Sequence, residues 1–339
     1  MKGLQYTNRS SAVSSLCPRF LSLVVVCILI TFVFVLSGCG GNLVPSAKAT
    51  SIASANSKVI PTPNPSTNSS LLKGAYAVSS NKAASITSAS WKVVPTPNPS
   101  TSSSALRGVS AISSNNAWAA GYSYDSSSSS YKTLIEHWNG TQWHVVPSPN
   151  PSTTNNDFNA VVAISANNAW AVGYYNSATG GQTLIEHWNG TQWSVVASPN
   201  PSTRSNSLGS IAALSDKDVW AIGTYANSAG QFQTLTEHWN GTTWSVVPSP
   251  SPGALNNMLS GVTVVSATDA WVVGSYFINP DPDTSHTQTL IEHWNGTKWS
   301  VVSSPNPTLR TNVLHDVVAV SANDVWAVGN TSRTSNPNS

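Results

Sequence analysis

Apolar and polar positions alternate along this chain in short runs cut by turn residues. The stretch from Asp157 to Ser198 shows the pattern. Phe158–Ser165 is apolar and β-branched and predicts a buried strand, A. Ala166-Asn167-Asn168 is a short turn, and Ala169–Tyr175 predicts strand B. Asn176–Gln182 is a Gly-rich loop, Thr183–Trp188 strand C, Asn189-Gly190 a tight turn and Thr191–Val196 strand D.

The same order returns along the chain. Glu-His-Trp-Asn-Gly-Thr-x-Trp begins at Glu136, Glu186, Glu237 and Glu292, in steps of 50, 51 and 55 residues. The A–B pattern Ser-x-x-(Asn/Asp)-(Ala/Val)-Trp-(Ala/Val)-(Ala/Val/Ile)-Gly starts at Ser113, Ser165, Ser215, Ser266 and Ser321. Four short strands in about 50 residues is the strand count and size of a propeller blade. The expected fold is therefore an all-β propeller of four-stranded antiparallel blades.

Full blades are expected over 106–147, 157–197, 207–248 and 258–303. Residues 313–330 supply strands A and B only, and 71–95 are a shortened copy. That makes about six blades, two of them incomplete, with five or seven as alternatives. A ring must close to remove its sheet edges. The stretch Ala53–Pro63 mimics Ala89–Pro97, so Ser57–Ile60 is expected to pair with the 313–330 hairpin and complete a composite blade. The domains read as a leader over 1–38, a Ser/Pro/Asn-rich tether over 39–70 with a closing strand within 51–60, repeats over 71–330 and a disordered tail over 331–339. After each strand D comes Pro-Ser-Pro-Asn-Pro or a variant. Pro cannot donate to a ladder, so the motif ends a strand at a blade edge and makes a stiff crossing.

This pattern resembles the kelch and galactose-oxidase-like β-propellers. In those families strand B ends in glycine and a later strand carries an aromatic residue followed by Trp. Gly173, Trp188 and Trp193 hold the corresponding places. Kelch repeats carry two successive glycines after strand B. Here one glycine is followed by Tyr122, Tyr174, Thr224, Ser275 or Asn330. The copper site of galactose oxidase needs a Cys-linked Tyr, and no Cys follows Cys39, so that activity is not implied.

Composition narrows the function. Charged residues are 8% of the 339 and the net charge is +2, so no basic footprint for nucleic acid exists. Cys17, Cys27 and Cys39 all precede the repeats, which therefore contain no disulfide or thiolate metal site. Lys2, Arg9 and Arg19 precede the apolar run Phe20–Leu36. Leu36-Ser37-Gly38-Cys39 follows, and it resembles the lipobox of bacterial lipoprotein signal peptides. That resemblance implies lipidation at Cys39 and an extracytoplasmic, membrane-anchored protein. An uncleaved membrane helix is the alternative.

The 14 Trp are the outstanding count. Trp118, Trp170, Trp220, Trp271 and Trp326 fall on strand B. Trp138/Trp143, Trp188/Trp193, Trp239/Trp244 and Trp294/Trp299 fall on the C–D hairpins. Asn-Gly is the strongest short hairpin signal, because a type I′ turn needs positive φ at both central positions. A turn centred on Asn139-Gly140 sets Trp138 opposite Thr141, His137 opposite Gln142 and Glu136 opposite Trp143. Leu134, Glu136, Trp138, Thr141 and Trp143 then share one face, with Ile135, His137 and Gln142 on the other. The paired Trp are expected to wedge between blades. His137, His187, His238 and His293 point away from their neighbouring Glu, which argues for a structural role over a metal site or proton relay. Asn116, Asn168, Asp218, Asp269 and Asp324 interchange, which argues against acid/base chemistry, and they are expected to cap turns. Asn139-Gly140-Thr141 reads as a glycosylation sequon through the demands of hairpin chemistry.

Strand order puts the A–B and C–D turns on one face and the D–A and B–C loops on the other. The B–C loops vary, and variable loops on a rigid scaffold carry function. They offer Tyr124, Asp125, Tyr175, Asn176, Tyr225, Phe232, Phe277, Asp281, Asp283 and His286. Aromatic and neutral polar groups there suit glycan or protein. No metal, cofactor or catalytic constellation is expected. The chain reads as a binding module. A cell-envelope glycosidase or lyase and a purely structural scaffold are the alternatives.

Overall fold

The fold comes from a computed structural model, which describes residues 76–80, 91–100, 102–278, 286–308 and 310–332. The leader, the tether, the closing strand at Ser57–Ile60, the tail beyond 332, Asp281 and Asp283 lie outside the described residues. Every regular element among the described residues is a strand.

β1 (Tyr76–Ser80) and β2 (Trp91–Pro95) form an antiparallel pair. The first full blade is β3 (Ser104–Ser113), β4 (Asn116–Asp125), β5 (Ser130–Trp138) and β6 (Trp143–Val145). The second is β7 (Asn156–Ser165), β8 (Asn168–Asn176), β9 (Gly181–Trp188) and β10 (Trp193–Val195). The third is β11 (Asn206–Ser215), β12 (Asp218–Ala226), β13 (Phe232–Trp239) and β14 (Trp244–Val246). The fourth is β15 (Asn257–Ser266), β16 (Asp269–Phe277), β17 (Thr287–Trp294) and β18 (Trp299–Val301). A hairpin of β19 (Thr311–Ser321) and β20 (Asp324–Ser332) follows. Each blade is an antiparallel meander in chain order. Four complete and two partial blades are thus on view, and the fold is a β-propeller.

The A strands β3, β7, β11, β15 and β19 touch one another in succession and form the inner wall. Each carries a bulge. In β7 the pairing jumps from Phe158 to Ala160, opposite Gly173 of β8. A Cβ on Gly173 would lie 1.9 Å from the Asp157 carbonyl oxygen. The recurring glycine of strand B is therefore a demand of this bulge. The bulge residues are Arg107, Asn159, Gly209, Ser260 and His315.

Strand D of each full blade is only three residues long, and after one further bond to strand C, as from the Val196 N–H to Ile185 O, the Pro-rich segment leaves the ladder. That segment is bound back to strand C. Asn200 Oδ1 accepts the Thr183 N–H at 2.8 Å, and Ser198 and Thr183 share a hydroxyl hydrogen bond of 2.6 Å. Asn150 with Ser148 and Asn306 with Ser304 repeat the arrangement. A second recurring residue pins neighbouring blades together. Asn206 is fully buried, and its amide donates to the Ser202 carbonyl of its own entry loop and to Gly181 O of the preceding blade. Asn156, Asn257 and Asn312 do the same.

Blade faces meet through tryptophan. Trp118 sits 5.0 Å from Trp188 and 5.2 Å from Trp193 of the next blade. Trp170 meets Trp239 and Trp244 alike, and Trp220 meets Trp294 and Trp299. Trp326, on the last hairpin, has no such pair against it among the described residues and is 37% exposed.

Candidate functional site

The C–D hairpin differs from its expected register by two residues. Trp138 lies opposite Trp143, His137 opposite His144 and Glu136 opposite Val145. Gly140 alone has positive φ, at 96°, whereas a type I′ turn on Asn139-Gly140 needs Asn139 positive as well. The Asn139 carboxamide decides the matter. Its Oδ1 accepts the Thr141 N–H, the Thr141 hydroxyl and the Gln142 N–H at 2.7–3.0 Å, which moves the turn one residue on. The faces survive the shift, because a two-residue change of register preserves alternation. The indole of Trp138 donates to Ser114 O and ties the hairpin to the A–B turn.

The Asn/Asp of the A–B pattern does not cap its turn. The preceding serine does, as where Ser113 Oγ accepts the Asn115 N–H. Asn116 and Asn168 instead bond His137 and His187 at 2.9 Å, and Asp218 and Asp269 bond His238 and His293 at 2.8 and 2.9 Å. Each His is thereby held against its own strand-B Trp, with His187 centred 4.2 Å from Trp170. Burial pushes the pKa of His137 and His187 down. Every one of these contacts lies inside one blade, and no group of three metal-ligating side chains forms among the described residues.

The glutamates behave otherwise. Glu136, Glu186, Glu237 and Glu292 are 0% exposed, and neither oxygen of any of them has a hydrogen-bond partner. These carboxyls therefore satisfy no turn or neighbour-blade group. Glu186 lies between Leu184 and Trp188, opposite Ala171, on the face that meets the first blade. Burial raises the carboxyl pKa to about 8 for Glu136, Glu237 and Glu292 and to about 9 for Glu186. These groups are neutral acids at pH 7.

On the opposite face, Tyr124 and Asp125 end β4, Tyr175 and Asn176 end β8, Tyr225 is on β12, Phe232 starts β13 and Phe277 ends β16. His286 O accepts the Ile278 N–H across the fourth loop. Asp125 is taken up by its own loop. Its oxygens accept from the Ser127 N–H and hydroxyl and from the Ser128 hydroxyl, and these bonds hold its pKa down at about 2.

One junction on this face gathers groups that sequence reasoning did not single out together. Arg107, the bulge residue of β3, reaches from the first blade to β7 of the second. Its Nη1 lies 3.2 Å from Asp157 Oδ2 and donates to Asn159 Oδ1 at 2.5 Å. The guanidinium also lies over the Tyr122 ring, 4.8 Å from its centre. Tyr131 meets Tyr122 and Tyr124 edge to face at 5.1 and 5.2 Å. Tyr174 stands beside Asp157 across the β7–β8 ladder. Burial raises the Tyr174 pKa, with Asp157 adding to the rise. Asp157 is 5% exposed and its Oδ1 has no partner. Burial pushes its pKa up to about 6, against the pull of Arg107. The signal available in the sequence was departure from the repeat. At the bulge position Arg107 aligns with Asn159, Gly209, Ser260 and His315, and Asp157 aligns with Ser207, Met258 and Val313. Separately, a cavity of about 390 Å³ lies between the second and third blades, lined by Val196–Pro199 and by Trp239, Thr242, Thr243 and Trp244.

No known sequence family matches the chain, and no curated protein matches it significantly. Solved structures similar to it include YCF48 bound to D1 peptide, at 14% identity and TM-score 0.36, covering 76% of this chain and 79% of that one. YjhT matches at 11% identity and TM-score 0.40, covering 66% of this chain and 70% of that one. A fucose lectin from Kordia zhangzhouensis in complex with methyl-fucoside matches at 14% identity and TM-score 0.32, covering 44% of this chain and 100% of that one.

Proposed function

We propose that this chain is an extracytoplasmic β-propeller binding module, anchored to the membrane through an acylated Cys39, that presents its B–C loop face to a cell-surface glycan or protein. Its kinship to kelch and galactose-oxidase-like propellers belongs to the same proposal. The observation that carries the binding reading is the contrast between the two faces. The A–B and C–D turns repeat with the same internal hydrogen bonds in each full blade. The B–C side changes from blade to blade, and at the first junction it collects Arg107, Asp157 and four tyrosines. Uniform turns maintain a scaffold, and varied polar and aromatic groups on a rigid frame provide recognition.

A carbohydrate-active enzyme is the second reading, and Asp157 favours it. A buried carboxyl with a raised pKa beside an Arg has the form of a general acid. Glycoside hydrolysis normally uses two carboxyls, and Arg107 is the sole charged group acting on Asp157 among the described residues, so binding is preferred. The test is a glycan array and an envelope-protein pull-down with the detergent-solubilised chain. Binding without turnover of the bound glycan supports the module, and cleavage overturns it. For the anchor, Cys39→Ser should release the protein from membranes. Retention there would mean an uncleaved helix.

A further inference from the structure

Resting on the binding-module reading, we propose that the side-chain cluster of Arg107, Asp157 and Tyr122, Tyr124, Tyr131 and Tyr174 binds one neutral, ring-form sugar residue of a glycan.

Charge selects the class. Arg107 and Asp157 sit 3.2 Å apart and cancel. An anion meets a guanidinium already neutralised by Asp157, and a cation meets a buried carboxylate already paired with Arg107, so neither gains a net field at the site. A neutral hydroxylated ligand leaves the pair intact.

The unused hydrogen-bonding groups match hydroxyls. Asp157 Oδ1 is an acceptor without a donor, in a side chain more than nine-tenths buried. Arg107 spends only Nη1 on protein, and the four phenol oxygens make no hydrogen bond to a described residue. Adjacent sugar hydroxyls each donate and accept. One can donate to Asp157 while its neighbour accepts from Arg107, a pairing that a simple apolar or singly charged ligand cannot supply. The Arg107 side chain is 40% exposed, so it can adjust to admit a hydroxyl to Oδ1 while Nη1 stays on Oδ2.

The tyrosines supply the apolar half. Tyr131 is 38% exposed, and its edge-to-face contacts with Tyr122 and Tyr124 hold the ring in place. A sugar ring has an apolar C–H face that stacks on such a surface, and a fixed ring loses little freedom on binding. The later junctions lack both the Arg and the Asp, so the described blades hold one such site.

The experiment is saturation-transfer NMR on the full-length protein in detergent. The probes are methyl glucoside, methyl mannoside, methyl galactoside and methyl N-acetylglucosaminide, with methyl glucuronide as the anionic counterpart. At least one neutral glycoside should bind, and the glucuronide at least tenfold more weakly. Arg107→Ala and Tyr131→Ala should each weaken the neutral ligand at least tenfold, and Lys298→Ala, at an exposed C–D turn on the opposite face, should leave it unchanged. Tyr131→Ala keeps the test valid if Arg107→Ala misfolds. Preference for the glucuronide overturns the proposal. Neutral binding indifferent to both the Arg107 and the Tyr131 variant overturns this site and leaves the binding-module reading standing. If no glycoside binds while an envelope protein is captured, the sugar class is wrong. If neither binds, both readings fall.

Discussion

Replacing Glu186 by Gln isolates one buried carboxyl. Glu186 is 0% exposed at the junction of the first two blades, with both oxygens unpartnered. Burial moves its pKa from 4.5 to about 9. The folded protein therefore keeps a proton that the unfolded chain releases above pH 4.5. The stability contributed by the neutral carboxyl is complete below pH 4.5 and is lost as pH rises towards 9. Each pH unit in that window removes at most about 1.4 kcal/mol. Between pH 5 and pH 8 the loss reaches about 4 kcal/mol in a two-state melt. Gln has nearly the same shape and no proton to lose. The midpoint of Glu186→Gln relative to the parent should therefore rise by about 10 °C from pH 5 to pH 8. Circular-dichroism melts of both proteins across that range, at equal ionic strength, measure it. A difference that stays constant with pH refutes the reasoning, because the carboxyl would then be ionised and hydrogen-bonded in the folded state.

Three further outcomes are expected. Trp170→Ala should lower stability by about 3–5 kcal/mol in denaturant melts, because it empties a blade junction, whereas the more exposed Trp326→Ala should lower it by about 1 kcal/mol. Gly173→Ala should lose about 3 kcal/mol or more, since its Cβ meets the Asp157 carbonyl at 1.9 Å; an unchanged melt would mean the bulge relaxes. Arg107→Ala should cost about 1–2 kcal/mol at pH 8 and less at pH 5, where the Asp157 carboxyl is protonated in its raised-pKa site; equal losses at the two pH values would show that the pair carries no charge effect.

Much of the fold was legible because each blade is a local meander. Strands A to D pair with sequence neighbours, so alternation and turn residues suffice to place them. The Trp motifs announced the blade junctions for the same reason, since a residue type that recurs once per blade recurs at each interface. The candidate site was less legible. Tyr122 and Tyr174 were visible as the residues after the strand-B glycine, and Tyr124 as a loop residue. Nothing local links Arg107 to Asp157, which lie on the inner strands of different blades.

The repeat length, the glycines, the Pro-rich crossings and the buried faces were therefore determined by the sequence alone, through periodicity and backbone limits. Tertiary structure decided three things. The Asn139 carboxamide, by capturing three donors, set the hairpin register that Asn-Gly alone misassigns. Face-to-face stacking of blades sealed Glu186 and its counterparts into apolar junctions, where an acid keeps its proton. The inner bulge turned Arg107 across a junction onto Asp157. Each depends on which side chains approach through space, and that follows from how the blades are stacked.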